Sequence, residues 1–381
     1  MRNPKFDDMR PYYDEEIPAA MQRIADSTSF PLLASYVYPN EDIEKVREQI
    51  RSYRCVRDFQ LEVMRRVNEQ VIARSTTGFT YEGIEKLSPA RQYMFVSNHR
   101  DIMLDACLLQ YVLYRNGHET SEITFGANLM QGQLVTDIGK SNKMFKVERP
   151  GNSPREFYKS SLHLSEYLRH AITEKHESVW IAQRNGRTKN GEDRTDQGII
   201  KMFGMSHNGD KIDALAELNI VPVSISYEWE PCDVLKAIEL YQSRTDKYIK
   251  KPGEDLNSIL TGIMQPKGHV HIAFCDLLTR DDLLPYDDCT AGEYHRRVAQ
   301  LIDRRICSAY RLYPNNYIAH DIRYGKENFK DYYNEAEKKA FLALLEKLHH
   351  YEENCQIEEL TDIFLGIYAN PVDSKLHFQS E

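Results

Sequence analysis

Between residues 79 and 278, short apolar runs alternate with stretches whose apolar residues recur at helical spacing. The runs at 80–81, 94–97, 123–127, 179–183, 220–227 and 270–275 are rich in β-branched and aromatic residues and read as buried strands. Helical spacing appears at 102–114, 154–175 and 199–205. This alternation predicts an α/β fold, a mostly parallel central sheet covered by helices. Ahead of it, Pro11, Pro18, Pro31 and Pro39 interrupt residues 1–40, and a helix begins near Glu41. A second helix is expected over 55–74, where Val56, Phe59, Val63, Val67 and Val71 define one face. Beyond residue 280 the chain reads as helical again. Val298, Leu301, Ile302 and Ile306 mark one helix; Phe341, Leu344, Leu345 and Leu348 mark another. Three segments follow: helical 1–78, α/β 79–280 and helical 281–381.

Charge and composition narrow the function. A net charge of -9 argues against a nucleic-acid partner and leaves room for local basic sites. The seven cysteines are scattered, with no C-x-x-C pair, as expected of reduced thiols. The first residues are polar and acidic, without the apolar stretch of a signal peptide. No window approaches the ~20 apolar residues that cross a bilayer. A cytoplasmic protein is expected, with peripheral contact at the inner face of the membrane as the other placement. Arg296, Arg297, Arg304 and Arg305 surround the apolar positions of their helix. Such a basic amphipathic helix either rests on an anionic membrane or forms a solvated face.

The chemistry concentrates at residues 95–105, Phe-Val-Ser-Asn-His-Arg-Asp-Ile-Met-Leu-Asp. Asn98 and His99 fall at the carboxyl end of a strand just ahead of a helix, where open α/β sheets bind ligands. A histidine there, followed by Asp101 and Asp105, is placed to act as a base oriented by an acid. The plain alternative is a buried histidine satisfied by its neighbours. Two islands of positive charge flank other strand ends. Lys140, Lys143, Lys146, Arg149 and Arg155 form the first; Arg184, Arg187, Lys189 and Arg194 form the second, with Gly186 and Gly191 among them. Glycine lets backbone approach a ligand closely, and arginine presents a fork matched to phosphate oxygens. A phosphate ester is the natural guest. No G-x-S-x-G, Walker A, G-x-G-x-x-G or H-E-x-x-H pattern occurs. His269 and His271 lack a third ligand and read as structural, so no metal is expected.

These residues carry a resemblance. Ser97-Asn-His99-Arg100 with a following Asp is similar to motif I of the glycerol-3-phosphate/dihydroxyacetone-phosphate acyltransferase family, Asn-His-x4-Asp. Lys143-Met-Phe-Lys-Val-Glu-Arg149 resembles motif II, and the stretch from Gln183 through Gly186, Arg187, Thr188 and Lys189 to Gly191 resembles motif III. Ile220-Val-Pro222-Val-Ser-Ile-Ser-Tyr227 resembles motif IV, with Val-Pro at its centre. The four blocks occur in the family's order across 79–278. Two departures stand out. Five residues rather than four separate His99 from Asp105. One extra helical residue turns a side chain by about 100°, so either the turn is irregular or Asp101 takes the role. In motif III, Arg184 occupies the family's Glu position and Asn185 replaces its first Gly.

The resemblance implies acyl transfer from acyl-CoA or acyl carrier protein to a hydroxyl of glycerol-3-phosphate, in phospholipid biosynthesis, with no cofactor. Lysophosphatidic acid or another lipid headgroup is the alternative acceptor, and a non-catalytic lipid- or phosphate-binding relative the competing class. It further implies that His99 is the base, oriented by Asp105 (or Asp101). Arg100, Lys146, Arg149, Arg184, Gly186, Arg187, Thr188 and Lys189 would hold the substrate.

Overall fold

A computed structural model of the chain describes residues 2–148, 153–245, 248–351 and 355–380. Among the described residues seven strands form one sheet. They are β1 (Thr76–Glu82), β2 (Met94–Ser97), β3 (Glu122–Gly126), β4 (Met144–Val147), β5 (Val179–Ala182), β6 (Ile220–Tyr227) and β7 (Gly268–Phe274). The spatial order is β1-β7-β6-β2-β5-β3-β4, and every adjacent pair is parallel except β6 with β7. This is the expected α/β architecture with a mostly parallel sheet, and helices stand on both faces.

β2 lies at the centre. Its four residues are all buried, and Ser97 is level with Ala182 of β5 and Val223 of β6. Alternate side chains therefore feed two cores. Phe95, Trp180 and Val221 pack with the helix Arg65–Ser75, with α1 (Leu104–Arg115) and, through Ile263, with α2 (Glu254–Met264). Val96, Ile181 and Ile220 pack with the helices Pro154–Arg169 and Gln197–Gly204 and with α3 (Ala291–Ala309). The apolar face of α3 thus belongs to the central core, together with Phe6 and Met9 from the other end of the chain. The last helix, α4 (Ile357–Ser380), packs with the helix Pro314–Tyr324 in a separate cluster that contains Ile318, Phe364 and Tyr368.

Pro222 sits in a central strand, where a missing N–H is normally costly. Here its carbonyl accepts from Cys275 at 2.9 Å, and the β6–β7 ladder starts only at Val223. The absent donor falls just beyond the end of that ladder.

Two expectations change. β4 reads in the sequence as part of a basic island, because it has only four residues and Lys146 interrupts them; it is the edge strand beside β3. The helix expected over 55–74 is three pieces, with a π turn at Gln60–Met64 between α-helical segments. The π turn inserts a residue, so Phe59 and Val71 are buried while Val56, Val63 and Val67 are half-buried.

Candidate active site at the end of β2

The site grows from the carboxyl end of β2. Asn98 prolongs the sheet with its side chain. Its Oδ1 accepts from the Ile225 N–H at 2.8 Å, and its Nδ2 donates to the Ile225 carbonyl at 3.0 Å and to Asp193 at 2.9 Å. The backbone is thereby fixed where His99 leaves the strand.

The His99 Nδ1 is 2.9 Å from Asp105 Oδ2, and the ring stands edge-on to Trp180 with centroids 5.7 Å apart. Trp180 is itself held by its Nε1–H, which donates to Ser97 Oγ at 3.0 Å. Asp105 is fully buried and saturated. Its Oδ2 also accepts the N–H groups of Arg100 at 2.6 Å and Asp101 at 2.9 Å, and its Oδ1 accepts the Tyr227 hydroxyl at 2.8 Å. An ionised carboxylate only accepts, so Nδ1 of His99 is the donor and Nε2 keeps its lone pair. No described residue hydrogen-bonds that Nε2. With 13% of its side chain exposed, His99 is open to a substrate but largely shielded from water.

Asp101 has a different task. Its Oδ1 accepts the N–H groups of Met103 and Leu104 at 2.9 and 2.8 Å, which starts α1. The five-residue spacing is absorbed in this turn, because two backbone N–H groups fold onto Asp105. The Asp101 Oδ2 is buried without a partner and faces Gly262 of α2. Burial, reinforced by the charge of Asp105, pushes the Asp101 carboxyl above its ordinary range, and Arg187 opposes that shift.

Arg100 is fully buried beneath the His99 loop. It pairs with Asp193 at 2.5 Å and Glu230 at 3.4 Å, donates to the Gly191 carbonyl at 3.1 Å, and lies 4.9 Å from the centre of the Tyr310 ring. Its carbonyl accepts from the buried Lys236 at 2.7 Å. These contacts turn Arg100 inward, as a brace for the loop and not as a group presented to a phosphate, contrary to its expected place among the substrate contacts.

The loop after β5 brings the second basic island to the site. The Thr188 N–H donates to the His99 carbonyl at 2.9 Å, and its buried hydroxyl donates to the Glu192 carbonyl at 2.8 Å. Gly186, at φ 75°, makes the left-handed turn that precedes it. Arg187 is buried, and its Nη1 has no hydrogen-bond partner. Lys189 pairs with Glu239, yet burial, with the charges of Lys250 and Arg187 added, pushes its amine down to about 8.

Arg184 turns elsewhere. It lines a cavity of about 1410 Å³ between this loop, α3 and α4, alongside Arg194, Arg296 and Arg297. Arg296 and Arg297 share Glu293, and Arg305 of the same helix pairs with Asp282, so the basic face of α3 meets its own chain. Lys146 pairs with Glu148 at 2.6 Å on β4, three strands from β2, which is roughly 14 Å across a sheet. Lys143 lies at the opposite end of β4 and pairs with Glu177. Lys143 and Lys146 are therefore committed to separate partners, and neither is brought to His99. Arg149 lies outside the described residues.

Tyr227, Trp180, Asp193, Glu230 and Lys236 were not singled out from the sequence. Tyr227 and Trp180 read as strand residues, and Asp193, Glu230 and Lys236 carry no local signal. Among the described residues no three His, Cys, Asp or Glu side chains are grouped to hold a metal, and no helix is long and apolar enough to cross a membrane.

No curated protein matches the chain. Among solved structures it is similar to the 1-acyl-sn-glycerophosphate (LPA) acyltransferase PlsC from Thermotoga maritima, at 12% identity. That likeness covers 75% of this chain and 93% of the other, with a TM-score of 0.37. Residues 78–226, which carry His99, Asp105, Arg187 and Asp193, match the family model described as Acyltransferase.

Proposed function

We propose that the chain is an O-acyltransferase that moves a fatty acyl group from a thioester donor, acyl-CoA or acyl carrier protein, to a hydroxyl of glycerol-3-phosphate or a related phosphorylated glycerolipid. The observation that carries this reading is the His99–Asp105 pair: a buried carboxylate bonded at both oxygens, holding an imidazole whose Nε2 is open. It lies within the segment that matches the Acyltransferase family model.

In this reading Nε2 of His99 takes the proton of the acceptor hydroxyl as the oxygen attacks the thioester carbonyl. Asp105 stabilises the imidazolium that forms. The tetrahedral intermediate then expels the thiolate, which takes the proton back from His99, so ester and free thiol leave together. No acyl-enzyme is required. Consistent with that, burial pushes the nearby Cys107 thiol up to about 12 and raises Cys232, which disfavours a nucleophilic thiolate at either position. The unpartnered Nη1 of Arg187, on the loop tied to the His99 backbone, is the group assigned to the acceptor phosphate, with Lys189 beside it. Arg184 and Arg194 are assigned to the donor's phosphates, or to the acidic surface of a carrier protein.

Purified protein is assayed for radiolabelled acyl transfer from palmitoyl-CoA and palmitoyl carrier protein to glycerol-3-phosphate and lysophosphatidic acid. Transfer to at least one acceptor, lost in His99→Ala, is expected. No transfer with any pair, or near-wild-type turnover of the folded variant, overturns the reading.

A further inference from the structure

α2 has two unlike faces. Ser258 and Gly262 are buried: the Ser258 carbonyl accepts from Cys232 Sγ at 3.2 Å, and a Cβ on Gly262 would come within 2.1 Å of Asp101 Oδ2. That face forms a wall of the turn between His99 and Asp105. The opposite face is apolar and bare. Leu256, Leu260 and Met264 follow one another at i, i+4 and i+8, with 59%, 53% and 67% of their surface exposed, and Ile249 just ahead is 82% exposed. Exposed large apolar residues are ordinary when scattered; aligned on one short helix they mark a surface that meets something.

The charges beside the stripe point to what it meets. Asp255 is engaged by Lys250 and Asn128, and Glu254 accepts the Tyr248 hydroxyl at 2.7 Å and the Lys251 N–H at 3.0 Å. The Lys251 amine is exposed and makes no hydrogen bond or ion pair to a described residue. Lys250 and Lys251 balance Glu254 and Asp255 in number, and the Lys251 ammonium, alone of the four without a side-chain partner among the described residues, stands next to the apolar stripe. Four such side chains fall short of the ~800 Å² per partner that a stable dimer buries. They match an interfacial helix, which sinks its apolar face ~5–10 Å into the boundary between headgroups and acyl chains.

We infer that α2, with Ile249 and Lys251, seats the protein on an anionic phospholipid surface and sets the His99 turn beside the lipid. This gives the proposed acyltransferase its partner, and it rests on that reading only for the purpose of the contact; the binding itself is read without turnover.

The full chain is floated with vesicles of phosphatidylcholine alone and with 30% phosphatidylglycerol, beside a Leu260→Glu/Met264→Glu variant. Both substitutions are on the bare face, and an unchanged thermal melt establishes that the variant is folded. Wild type should float with the anionic vesicles, and the variant should bind about tenfold less or weaker. Lys251→Ala should weaken binding to anionic vesicles and leave any binding to neutral ones unchanged. The inference is overturned if wild type stays in the soluble fraction with both compositions, or if the double variant floats like wild type. It also fails if the wild type runs as a dimer that the double variant splits, which would assign the stripe to a second copy. Loss of acyl transfer with vesicle binding intact would count against the catalytic reading alone.

Discussion

The hydroxyl of Tyr227, at the end of β6, donates to Oδ1 of Asp105 at 2.8 Å, while His99 occupies Oδ2 of the same carboxylate. One oxygen faces the base and the other is anchored to the neighbouring strand, so the carboxylate cannot rotate away from the imidazole. Tyr227 is fully buried, and its ring stays in the core whether or not it carries the hydroxyl. Tyr227→Phe should therefore remove the anchor and little else. A hydrogen bond to a charged group contributes roughly 1.5–3 kcal/mol, so kcat is expected to fall about 10–100-fold with the acceptor KM nearly unchanged. Steady-state kinetics on the variant check this.

Asp101 and Asp105 are separated by the same measurement. Asp105→Asn puts an amide where three donors converge on Oδ2, and turnover should drop by about 10²–10⁴, the range of general-base catalysis. Asp101→Asn keeps an Oδ1 able to accept from Met103 and Leu104. It also removes an acid that burial disfavours as a charge. Turnover within a few-fold of wild type is expected, with stability equal or higher. A reversed order of the two variants would move the role to Asp101.

What could be read from the sequence was local. His99, Asp105 and the strand–turn–helix around them lie within one run of residues, so periodicity and residue type suffice to bring them together. Tyr227 lies 122 positions from Asp105, and Glu230 130 positions from Arg100. Neither carries a local signal, since a Tyr ending an apolar strand looks the same whether it packs or donates. Sequence proximity also misled. Lys143 and Lys146 look like one island, but Lys143 precedes β4 and Lys146 lies within it, and the two go to different partners. Arg100 adjoins the base in the chain, yet its side chain turns to the opposite side, where Asp193 and Glu230 wait.

Gly262 is required by contact. A methyl group there would meet Asp101 Oδ2 at 2.1 Å, and that carboxylate is pinned through Oδ1 to the start of α1. Gly262→Ala must push α2 outward or break the turn, with overpacking costing roughly 1–3 kcal/mol. A lower denaturation midpoint together with reduced kcat is expected. A loss of stability with full kcat would show that α2 can shift without disturbing the His99 turn.

The last prediction concerns pH. Asp303 of α3 is buried and accepts both the N–H and the hydroxyl of Thr195 at 2.7 and 2.6 Å. Burial outweighs those bonds and pushes its carboxyl up to about 6. A raised carboxyl binds its proton more tightly folded than unfolded. The stabilisation is complete below about pH 4 and is lost as pH rises through 6. Asp303→Asn keeps an acceptor for Thr195 and carries no charge at any pH. The variant and wild type should therefore melt alike near pH 4. The variant should become the more stable of the two between pH 5 and 7, by an amount on the order of 2–3 kcal/mol at most. Melting curves across that range test the sign directly, and a variant less stable at pH 7 than at pH 4, relative to wild type, would mean that the Asp303 charge is stabilised by its surroundings, with Arg194 the nearest candidate.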